Sequence, residues 1–480
     1  MSGISPTDLT FLLLENPNRP FHMAAMTIFR KPQGQESTFG PRLFEAYRNS
    51  RAVRPFTHKL TWAGTGIAAW QTVEPDMADH VRRIDLPAPG TMAQFYELVA
   101  TLNSGLLDRS RPLWECYIID GLENDCLAVM IKVHHALIDG EGGLRVMRNF
   151  MSDSPDDERL AAPWMAPEGG AQLRRPHRRV SQVQRLQGQL RGLTKLPADM
   201  IGIGADVVEF GAQALHLKPR MASVPFTAQR TLFNNTAKSA ARVYADTGLP
   251  LADVKAVATA TNTSINDVVM TVIDDALHTY LGERGAPADR PLVAFMPMSL
   301  RDESGGSARL DAGEAKLGPS HGSGSAGGNQ VSAELIPMGA PGVDIGERLR
   351  QINGATKKAK DKGRGMQTTS RQVYALLLAG SMAVSDSLPG LGNAPSANVV
   401  ISNMKGPAEQ LYLAGAPLVA FLGLPILPPG AGLNVTFASV NDTVRVAIGA
   451  APEAVDDPLR LARLVDRSFQ RLQTTTRRTP

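Results

Sequence analysis

The sequence predicts an α+β protein made of two units that a crossover segment joins. Its 480 residues are too many for a single hydrophobic core. Strand-like apolar runs and amphipathic helical stretches alternate in residues 1–160 and again in residues 226–480. Residues 161–225 contain instead a basic, amphipathic stretch. We therefore expect an N-terminal unit, a linker and a C-terminal unit, in this order.

The composition is that of an ordinary globular protein, and it argues against a disordered chain and against a nucleic-acid-binding protein. Hydrophobic residues make up 43% of the chain and charged residues 20%, which is typical of a folded core and not of a disordered chain. The formal net charge of +4 is small for this length, so no nucleic-acid partner is predicted. The two cysteines, Cys116 and Cys126, favour a reducing compartment without a disulfide framework.

Neither a signal peptide nor a membrane-spanning helix is predicted. The apolar run Phe11–Leu14 is too short for a signal peptide and has no basic segment before it. The uncharged stretch Leu411–Asn441 is long enough to cross a bilayer, but prolines and glycines interrupt it repeatedly. We expect a cytoplasmic protein that is either soluble or peripherally bound to a lipid surface.

The N-terminal unit carries two clear structural signals. Ser5-Pro6-Thr7-Asp8 predicts the start of a helix, with an N-cap, a proline in the first turn and an acidic residue beside it. The runs Leu113–Asp120 and Cys126–Val133 flank Gly121–Asp125 and predict a β-hairpin.

A histidine pair follows the second strand of this hairpin, in the segment from His134-His135 to Asp139-Gly140 (HHALIDG). A strand that ends in a turn can hold a histidine ring against a cleft. Because imidazole titrates near neutrality, such a ring can take a proton from an alcohol and return it. Asp139 and Gly140 can fix the turn. The segment therefore indicates acid–base chemistry at a histidine.

Two other interpretations of the pair are open. The histidines could be ordinary core or surface residues, or they could bind a metal together with Asp139. Adjacent strand residues point to opposite faces, so His134 and His135 are not expected to converge on one ion. No other cysteine or histidine cluster supports a metal site. We expect neither a metal nor a cofactor.

The crossover and the C-terminal unit have distinct patterns. Arginines at 174–179 and leucines at helical spacing at 186–196 predict either a linker helix packed on the core or a basic surface for anionic lipid. Asn266-Asp267 opens a predicted helix, and the Gly- and Ser-rich residues 303–328 predict a mobile loop. Three runs predict strands: Pro291–Arg301, Asn398–Ser402 and Leu433–Ser439.

Motifs along nearly the whole chain occur in a fixed order. They are SPTD near residue 5, LDRSRPLWE at 107–115, HHALIDG at 134–140, INDVV at 265–269, PMSLR at 297–301, GGNQV at 327–331, NVVISNMKGP at 398–407 and LNVT at 433–436. Together they resemble the bacterial wax ester synthase/diacylglycerol acyltransferase family of the CoA-dependent acyltransferases with an HHxxxDG motif. The chain departs from the family pattern in the long insertion at 303–328 and in Met404-Lys405, where Val-Pro is usual.

The resemblance implies a fold with two halves like chloramphenicol acetyltransferase, each with a mixed sheet, and an active-site tunnel between them. It also implies that a C-terminal segment lends a strand to the N-terminal sheet. The implied reaction moves a fatty acyl group from acyl-CoA, a co-substrate, to the hydroxyl of diacylglycerol or a long-chain alcohol. Such a protein would work at the inner membrane or at lipid inclusions.

The resemblance also assigns the site residues. His135 is the implied general base, and no covalent acyl-enzyme is needed. Asp139, which precedes Gly140, is expected to hold the loop by pairing with Arg301. His134 is either a structural neighbour or part of the acceptor side.

Two residues at the start of the predicted helix are assigned less specifically. Asn266 either orients the imidazole or donates to the oxyanion, or it is simply a helix N-cap. Asp267 adds negative charge to the first helical turn. Two functions compete with the implied one: another condensation or acyl-transfer reaction of the HHxxxDG group, and a non-catalytic lipid-droplet coat with the same fold.

Overall fold

The protein is described from a computed structural model, in which two six-stranded mixed β-sheets form the frame. The structure describes residues 2–4, 6–62, 68–138, 143, 146–147, 149–166, 225–236, 238–299, 331–364, 378, 380–382, 395–404, 406–407, 409–424 and 426–478. Asp139, Gly140 and Arg301 lie outside these residues, as do the insertion 303–328 and nearly all of the crossover. The predicted α+β class, with a mixed sheet in each half, is confirmed.

The N-terminal sheet carries the histidine pair at the end of its fourth strand. Its strands are β2 (His22–Arg30), β5 (Val81–Asp85), β6 (Trp114–Leu122), β7 (Cys126–His134), β12 (Tyr412–Leu413) and β13 (Ala416–Leu424). They lie in the order β12-β13-β2-β7-β6-β5, and only β5 and β6 are parallel. The predicted hairpin is confirmed as the antiparallel pair β6 and β7. Every residue of β7 is buried, which explains its unbroken apolar run.

Helices cover both faces of this sheet. They are α1 (Pro6–Leu14), α2 (Phe39–Arg48), α3 (Met77–His80) and α4 (Met92–Ser104). α1 begins at Pro6, as the SPTD motif predicts. α2 packs on the face that includes Val129, and α4 packs on the opposite face, with Met130. A small sheet of β1 (Ser2–Gly3), β4 (Ala68–Thr72) and β3 (His58–Trp62) lies beside α1.

The C-terminal sheet is built from later strands of the chain. These are β8 (Val243–Pro250), β9 (Val293–Ser299), β10 (Val331–Pro337), β11 (Val399–Met404), β14 (Leu433–Val440) and β15 (Thr443–Ala450). Their order is β10-β9-β11-β14-β15-β8, with β11 parallel to both of its neighbours. The three strands predicted in this unit are confirmed as β9, β11 and β14.

Four helices pack with one face of the C-terminal sheet. They are α5 (Leu251–Ala260), α6 (Ile265–Glu283), α7 (Ile345–Arg364) and α8 (Pro458–Arg478), and a 3₁₀ turn at Leu232–Asn234 lies against the same core. The predicted helix at Asn266 is confirmed as α6, and its apolar positions from Val268 to Leu277 are buried.

The two sheets are joined by a strand that the C-terminal part of the chain adds to the N-terminal sheet, and by direct side-chain contacts. β13 comes from the C-terminal part of the chain but pairs with β2, so the implied strand contribution is confirmed. On α4, the Tyr96 hydroxyl donates to the Asp246 carboxylate of β8, and the Asn103 Nδ2 lies 2.6 Å from the Tyr244 hydroxyl. These bonds place the end of α4 between the histidine-bearing sheet and the second unit.

Candidate active site

His134, the last residue of β7, is fully buried, and a protein group lies beside each ring nitrogen. Its Nδ1 accepts a hydrogen bond from the Ala136 backbone N–H at 3.1 Å. The neutral ring therefore carries its proton on Nε2. Nε2 lies 3.3 Å from the Glu15 Oε1. These contacts favour the interpretation of His134 as a structural neighbour, and a part for it in the acceptor side stays a prediction.

Glu15 follows α1 directly, and its carboxylate contacts three groups, of which His134 is the first. Oε1 also accepts the Phe21 backbone N–H at 3.0 Å, and the Arg109 guanidinium lies 3.1 Å from Oε2. Burial alone would raise the pKa of Glu15, but the bonds from His134, Phe21 and Arg109 lower it to about 2. Glu15 is therefore ionised at neutral pH and ties α1 to the histidine turn.

His135 is the first residue after β7 and is half-buried. Its backbone N–H donates to the Phe21 carbonyl at 2.9 Å, which extends the ladder between β2 and β7 by one residue. The ring centroid lies 4.6 Å from that of Phe11, which in turn lies 5.8 Å from Phe21. The His135 imidazole thus packs against an aromatic side chain of α1, whereas the His134 ring faces Glu15. The two rings have different surroundings, in agreement with their expected divergence.

A buried polar chain continues on the His134 side of the sheet. His22 pairs with His134 across β2 and β7, and its Nε2 lies 2.8 Å from the Asn103 carbonyl, which accepts its proton. Burial, reinforced by the nearby Lys132 charge, lowers the pKa of His22 to about 3, so the ring is neutral. Asn103 then bonds to Tyr244 of the C-terminal sheet. The end of the histidine strand is therefore connected to the second unit.

Lys132 lies on the same face of β7 and closes the C-terminal end of α4. Its ammonium donates to the carbonyls of Leu102 at 3.0 Å and Gly105 at 2.6 Å. Burial lowers the pKa of Lys132, while the Glu115 carboxylate at 3.8 Å acts in the opposite direction. A positive charge near a helix C-terminus stabilises the helix. We therefore assign Lys132 a structural role, in which it holds the C-terminal end of α4 in place.

The interpretation of Asn266 as a helix N-cap is wrong. The N-cap of α6 is Ser264, whose side chain accepts the Asp267 backbone N–H in a capping box. Asn266 is half-buried; its Nδ2 donates to the Met270 sulfur, and its Oδ1 lies 3.5 Å from the Asn403 Nδ2. These partners belong to the C-terminal unit. An action of Asn266 on the imidazole or oxyanion stays a prediction.

Asp267 does more than charge the first helical turn. It is buried, and its carboxylate accepts from the Ser264 hydroxyl at 2.7 Å, the Asn353 Nδ2 at 2.8 Å and the Thr356 hydroxyl at 2.6 Å. Burial raises the pKa of Asp267, but these bonds lower it below its usual value overall. The carboxylate therefore ties the start of α6 to α7.

The cysteines have no setting for nucleophilic catalysis. Cys116 and Cys126 are buried, and burial raises the pKa of each thiol. Trp114 of the PLW motif is fully buried and donates from its Nε1 to the Phe56 carbonyl at 2.8 Å, so it packs in the core of the N-terminal sheet. Among the described residues, no group of histidine, cysteine or acidic side chains could hold a metal.

The sequence interpretation missed residues that the fold brings to the histidine pair. Glu15, Arg109 and Asn103 contact it directly or through one neighbour, although they are distant in sequence. One signal was present: Glu15 is the charged residue that ends the apolar run Phe11–Leu14. The Glu15 side chain is buried, and a buried acid requires a partner.

Two family models cover most of the chain. Residues 4–269 match the wax ester synthase/diacylglycerol acyltransferase catalytic domain, and residues 327–473 match the WS/DGAT C-terminal domain. The chain belongs to the WS/DGAT family. The family predicted from the motifs is thereby confirmed.

Relatives in mycobacteria extend over the full chain. The Mycobacterium tuberculosis protein named "Probable diacyglycerol O-acyltransferase Tgs4" is 65% identical over 99% of this chain and 97% of its own. The protein named "Probable diacyglycerol O-acyltransferase tgs2" from the same organism is 30% identical over 98% of this chain and 99% of its own.

Solved structures share the fold. The wax ester synthase/diacylglycerol acyltransferase from Marinobacter aquaeolei VT8 matches with a TM-score of 0.72 and 24% identity, over 99% of this chain and 100% of that chain. A condensation domain of the calcium-dependent antibiotic synthetase matches with a TM-score of 0.55 and 15% identity, over 99% and 96% of the two chains. The predicted fold, with two acyltransferase-like halves, is confirmed by these matches.

Proposed function

We propose that this WS/DGAT protein transfers a long-chain fatty acyl group from acyl-CoA to the hydroxyl of diacylglycerol or of a long-chain alcohol. The observation that carries the proposal is the fixed position of His135 in the fold. Its backbone is fixed to Phe21 and its ring lies on Phe11, while His134 beside it is locked by Glu15. An imidazole held in this way at the end of a rigid strand suits general base catalysis.

His135 takes the proton from the acceptor hydroxyl as the hydroxyl oxygen forms a bond to the thioester carbonyl carbon. The tetrahedral oxyanion then collapses, the carbon–sulfur bond breaks, and the CoA thiolate takes the proton from the imidazolium. The products are an ester and free CoA. No acyl-enzyme forms, because acceptor and thioester react directly, and the buried thiols with raised pKa support this route.

Three further residues complete the proposed site. Asp139, next to Gly140 in the motif, holds the histidine loop by pairing with Arg301 of the PMSLR motif. Asn266 orients the imidazole or donates to the oxyanion. Its exclusion as the helix N-cap supports this role, because its side chain is not used to cap α6.

An apolar surface beside α1 supports contact with a lipid phase. Leu13 (68% exposed), Leu14, Trp62 (58% exposed) and Leu106 are exposed. Each lies within two residues in sequence of a member of a small apolar cluster that includes Leu12, Leu60, Leu107 and also Ala136, next to His135. None of the helices in the described part of the chain is long and apolar enough to span a bilayer. We infer peripheral binding to the inner membrane or to lipid inclusions, where both acceptors reside.

The test mixes the protein with palmitoyl-CoA and either dioleoylglycerol or hexadecanol, and follows free CoA with a thiol reagent. We expect CoA release that depends on an acceptor, together with triacylglycerol or wax ester on a thin-layer chromatogram. Both acceptors in one reaction then show which is preferred. CoA release without an ester product indicates a hydrolase, and an absence of CoA release indicates the non-catalytic coat; either result overturns the proposal.

A further inference from the structure

The loop from Glu15 to Phe21 makes contacts with both histidines of the pair. At one end of the loop, the Glu15 carboxylate lies 3.3 Å from the His134 Nε2. At the other end, the Phe21 carbonyl accepts the backbone N–H of His135 at 2.9 Å. The two ends are also bonded to each other, because the Glu15 Oε1 accepts the Phe21 N–H at 3.0 Å. The position of this loop therefore affects the position of both histidines.

Loop 15–21 is compact between these two ends. Asn16 and Arg19 exchange two backbone hydrogen bonds of 3.2 and 2.9 Å. The Asn18 backbone N–H also donates to the Asn16 Oδ1 at 3.1 Å. A short loop with its own internal bonds moves as one piece, so a contact at Asn18, at the tip, restrains the ends that bind the histidines.

The contact at the tip comes from Arg242 of the C-terminal unit, which directly precedes β8. Its Nη2 donates to the Asn18 carbonyl at 3.2 Å. Its Nη1 donates to the carbonyls of Ser239 at 3.0 Å and Ala241 at 2.7 Å, which hold the side chain in place. Arg242 is buried, and burial of a charged group is unfavourable unless the group is hydrogen-bonded. Three carbonyls compensate for this burial, and one of them belongs to loop 15–21 of the N-terminal unit.

Tyr244 of β8 makes a second contact near the same loop. Its ring lies in the core of the N-terminal sheet, in the cluster that contains Met26. Its hydroxyl lies 2.6 Å from the Asn103 Nδ2, at the end of α4. The Asn103 carbonyl in turn accepts the Nε2 proton of His22 at 2.8 Å, and His22 directly follows Phe21. The C-terminal unit is thus bonded to the chain on both sides of Phe21.

These contacts lie on one face of β8, which is an edge strand of the C-terminal sheet. Alternate residues of a strand point the same way, and Arg242, Tyr244 and Asp246 all contact the N-terminal unit. Asp246 accepts the hydroxyl of Tyr96, which lies on α4 about two turns before Asn103. The Asp246 contact joins the same two units but is farther from the end of the histidine strand. It therefore offers a matched control for the other two.

We propose that Arg242 and Tyr244 are positioning residues for acyl transfer and hold the His135 backbone from the opposite unit. This inference rests on the proposed function and adds two residues that act on its general base without touching it. Arg242 acts through the loop, and Tyr244 acts through the end of α4 and His22. Both paths end at the start of β2, to which the His135 backbone is bonded. The C-terminal unit therefore contributes to the placement of a base that the N-terminal unit carries.

The first test is Arg242→Met, which removes the donor to Asn18 and keeps the apolar stem of the side chain. With palmitoyl-CoA and hexadecanol, we expect kcat to fall about tenfold, as a displacement of the base by less than about 1 Å should cause. The KM for palmitoyl-CoA should not change, because no step of the proposed reaction uses Arg242. Arg242→Lys should restore most of kcat, since an ammonium group can donate to the Asn18 carbonyl. Rates are measured well below the Tm of each variant, so that unfolded protein does not lower kcat.

The second test is Tyr244→Phe, which keeps the ring in the core and removes only the hydroxyl. We expect kcat to fall about fivefold, the equivalent of one hydrogen bond. The matched control is Tyr96→Phe, which removes a hydroxyl contact between the two units on the same face of β8. Because Tyr96 has no part in either path to His135, this control should keep the wild-type kcat.

A double variant distinguishes positioning from a general loss of structure. Arg242 and Glu15 act on the same loop, so Arg242→Met should lower kcat much less in a Glu15→Gln protein than in the wild type. Independent effects would multiply instead. Multiplying effects, an unchanged kcat in Arg242→Met, or an equal loss of kcat in Tyr96→Phe would each overturn the inference.

Two further outcomes keep the inference separable from folding and from the proposed function. If Arg242→Met does not fold, Tyr244→Phe decides, and an unchanged kcat in that variant overturns the inference. Wild-type protein that releases no CoA with either acceptor overturns the proposed function instead. The two failures are therefore distinguishable.

Discussion

The Glu15 carboxylate lies 3.3 Å from the Nε2 of His134, and both side chains are almost completely buried. Because the other nitrogen of His134 accepts the Ala136 N–H, the proton on Nε2 faces a carboxylate that also binds Phe21 and Arg109. The Glu15 carboxylate therefore connects α1, the start of β2 and the turn after β7. The geometry of the neighbouring His135 depends on this contact.

Glu15→Gln should loosen the histidine turn. The substitution keeps the size of the side chain but removes the charge that holds His134 and Arg109. We expect acyl transfer to fall by roughly 10²-fold, as displacement of a catalytic group by about 1 Å can cause, and stability to fall by roughly 1.5–3 kcal/mol, the contribution of a hydrogen bond to a charged group. Initial rates and thermal denaturation measure the two effects. Glu36→Gln, at a partly exposed carboxylate that accepts the Gly34 backbone N–H, is the control, and equal behaviour of the two variants would contradict the role of Glu15.

His22 should make the protein less stable in mild acid. Its pKa is lowered to about 3 in the folded protein and returns to 6.5 on unfolding, so the unfolded chain binds a proton first. Above pH 6.5 the His22 ring is neutral in both states and does not reduce the free energy of unfolding. As the pH falls from 6.5 toward 3, the free energy of unfolding decreases. The loss from one such group is at most about 1.4 kcal/mol per pH unit.

His22→Gln tests this directly. The glutamine amide can still donate to Asn103, but it does not titrate. Urea denaturation at pH 7 and pH 5 should show a smaller loss of stability in the variant than in the wild type. This range lies above the pH at which Glu15, with an ordinary pKa of 4.5 and a folded value of about 2, begins to contribute. An identical pH dependence in both proteins would show that His22 is not the group responsible.

Thr356→Val should weaken the attachment of α7 to α6. Its hydroxyl is one of the donors that compensate the buried Asp267 carboxylate, at 2.6 Å. Loss of a hydrogen bond to a charged group should lower the free energy of unfolding by roughly 1.5–3 kcal/mol. Chemical denaturation measures it. The control is Thr474→Val on α8, where an exposed hydroxyl bonds to the Gln470 carbonyl and should contribute little. A Thr356→Val protein as stable as the control would mean that Asp267 is compensated without α7.

Leu13→Ser with Leu14→Ser should reduce binding to lipid. Insertion of two leucine side chains into an apolar phase contributes roughly 2–4 kcal/mol, so the affinity for vesicles should fall at least tenfold. Flotation with phosphatidylglycerol vesicles that contain dioleoylglycerol measures it. Leu459→Ser, an exposed leucine of α8, is the control, and it should bind as wild type does. If the double variant floats as efficiently as the control, the α1 surface is not the lipid contact.

Local patterns were sufficient for much of the fold. The start of α1 at Pro6, the hairpin of β6 and β7 and the apolar side of α6 follow from residues close together in sequence. The site depends on contacts that span the chain. Glu15 meets His134 across more than a hundred residues, and Asn103 meets Tyr244 from another unit. No local periodicity encodes such pairings.

The cap of α6 shows how a local pattern can mislead. Asn266 has the chemistry of an N-cap, but Ser264, two residues earlier, forms the capping box with Asp267. A serine followed three residues later by an acid is itself a recognisable signal. The error left Asp267 with only an electrostatic role, although its carboxylate accepts hydrogen bonds from two residues of α7, Asn353 and Thr356.

The most direct test of the account is the rate of ester formation by His135→Ala. The protein should fold as the wild type does by circular dichroism, because the backbone N–H that bonds to Phe21 remains. With palmitoyl-CoA and either acceptor, we predict a rate lower by roughly 10²–10⁴-fold, the usual contribution of a general base. A folded His135→Ala protein that forms ester at the wild-type rate would contradict the assignment of the base and the mechanism built on it.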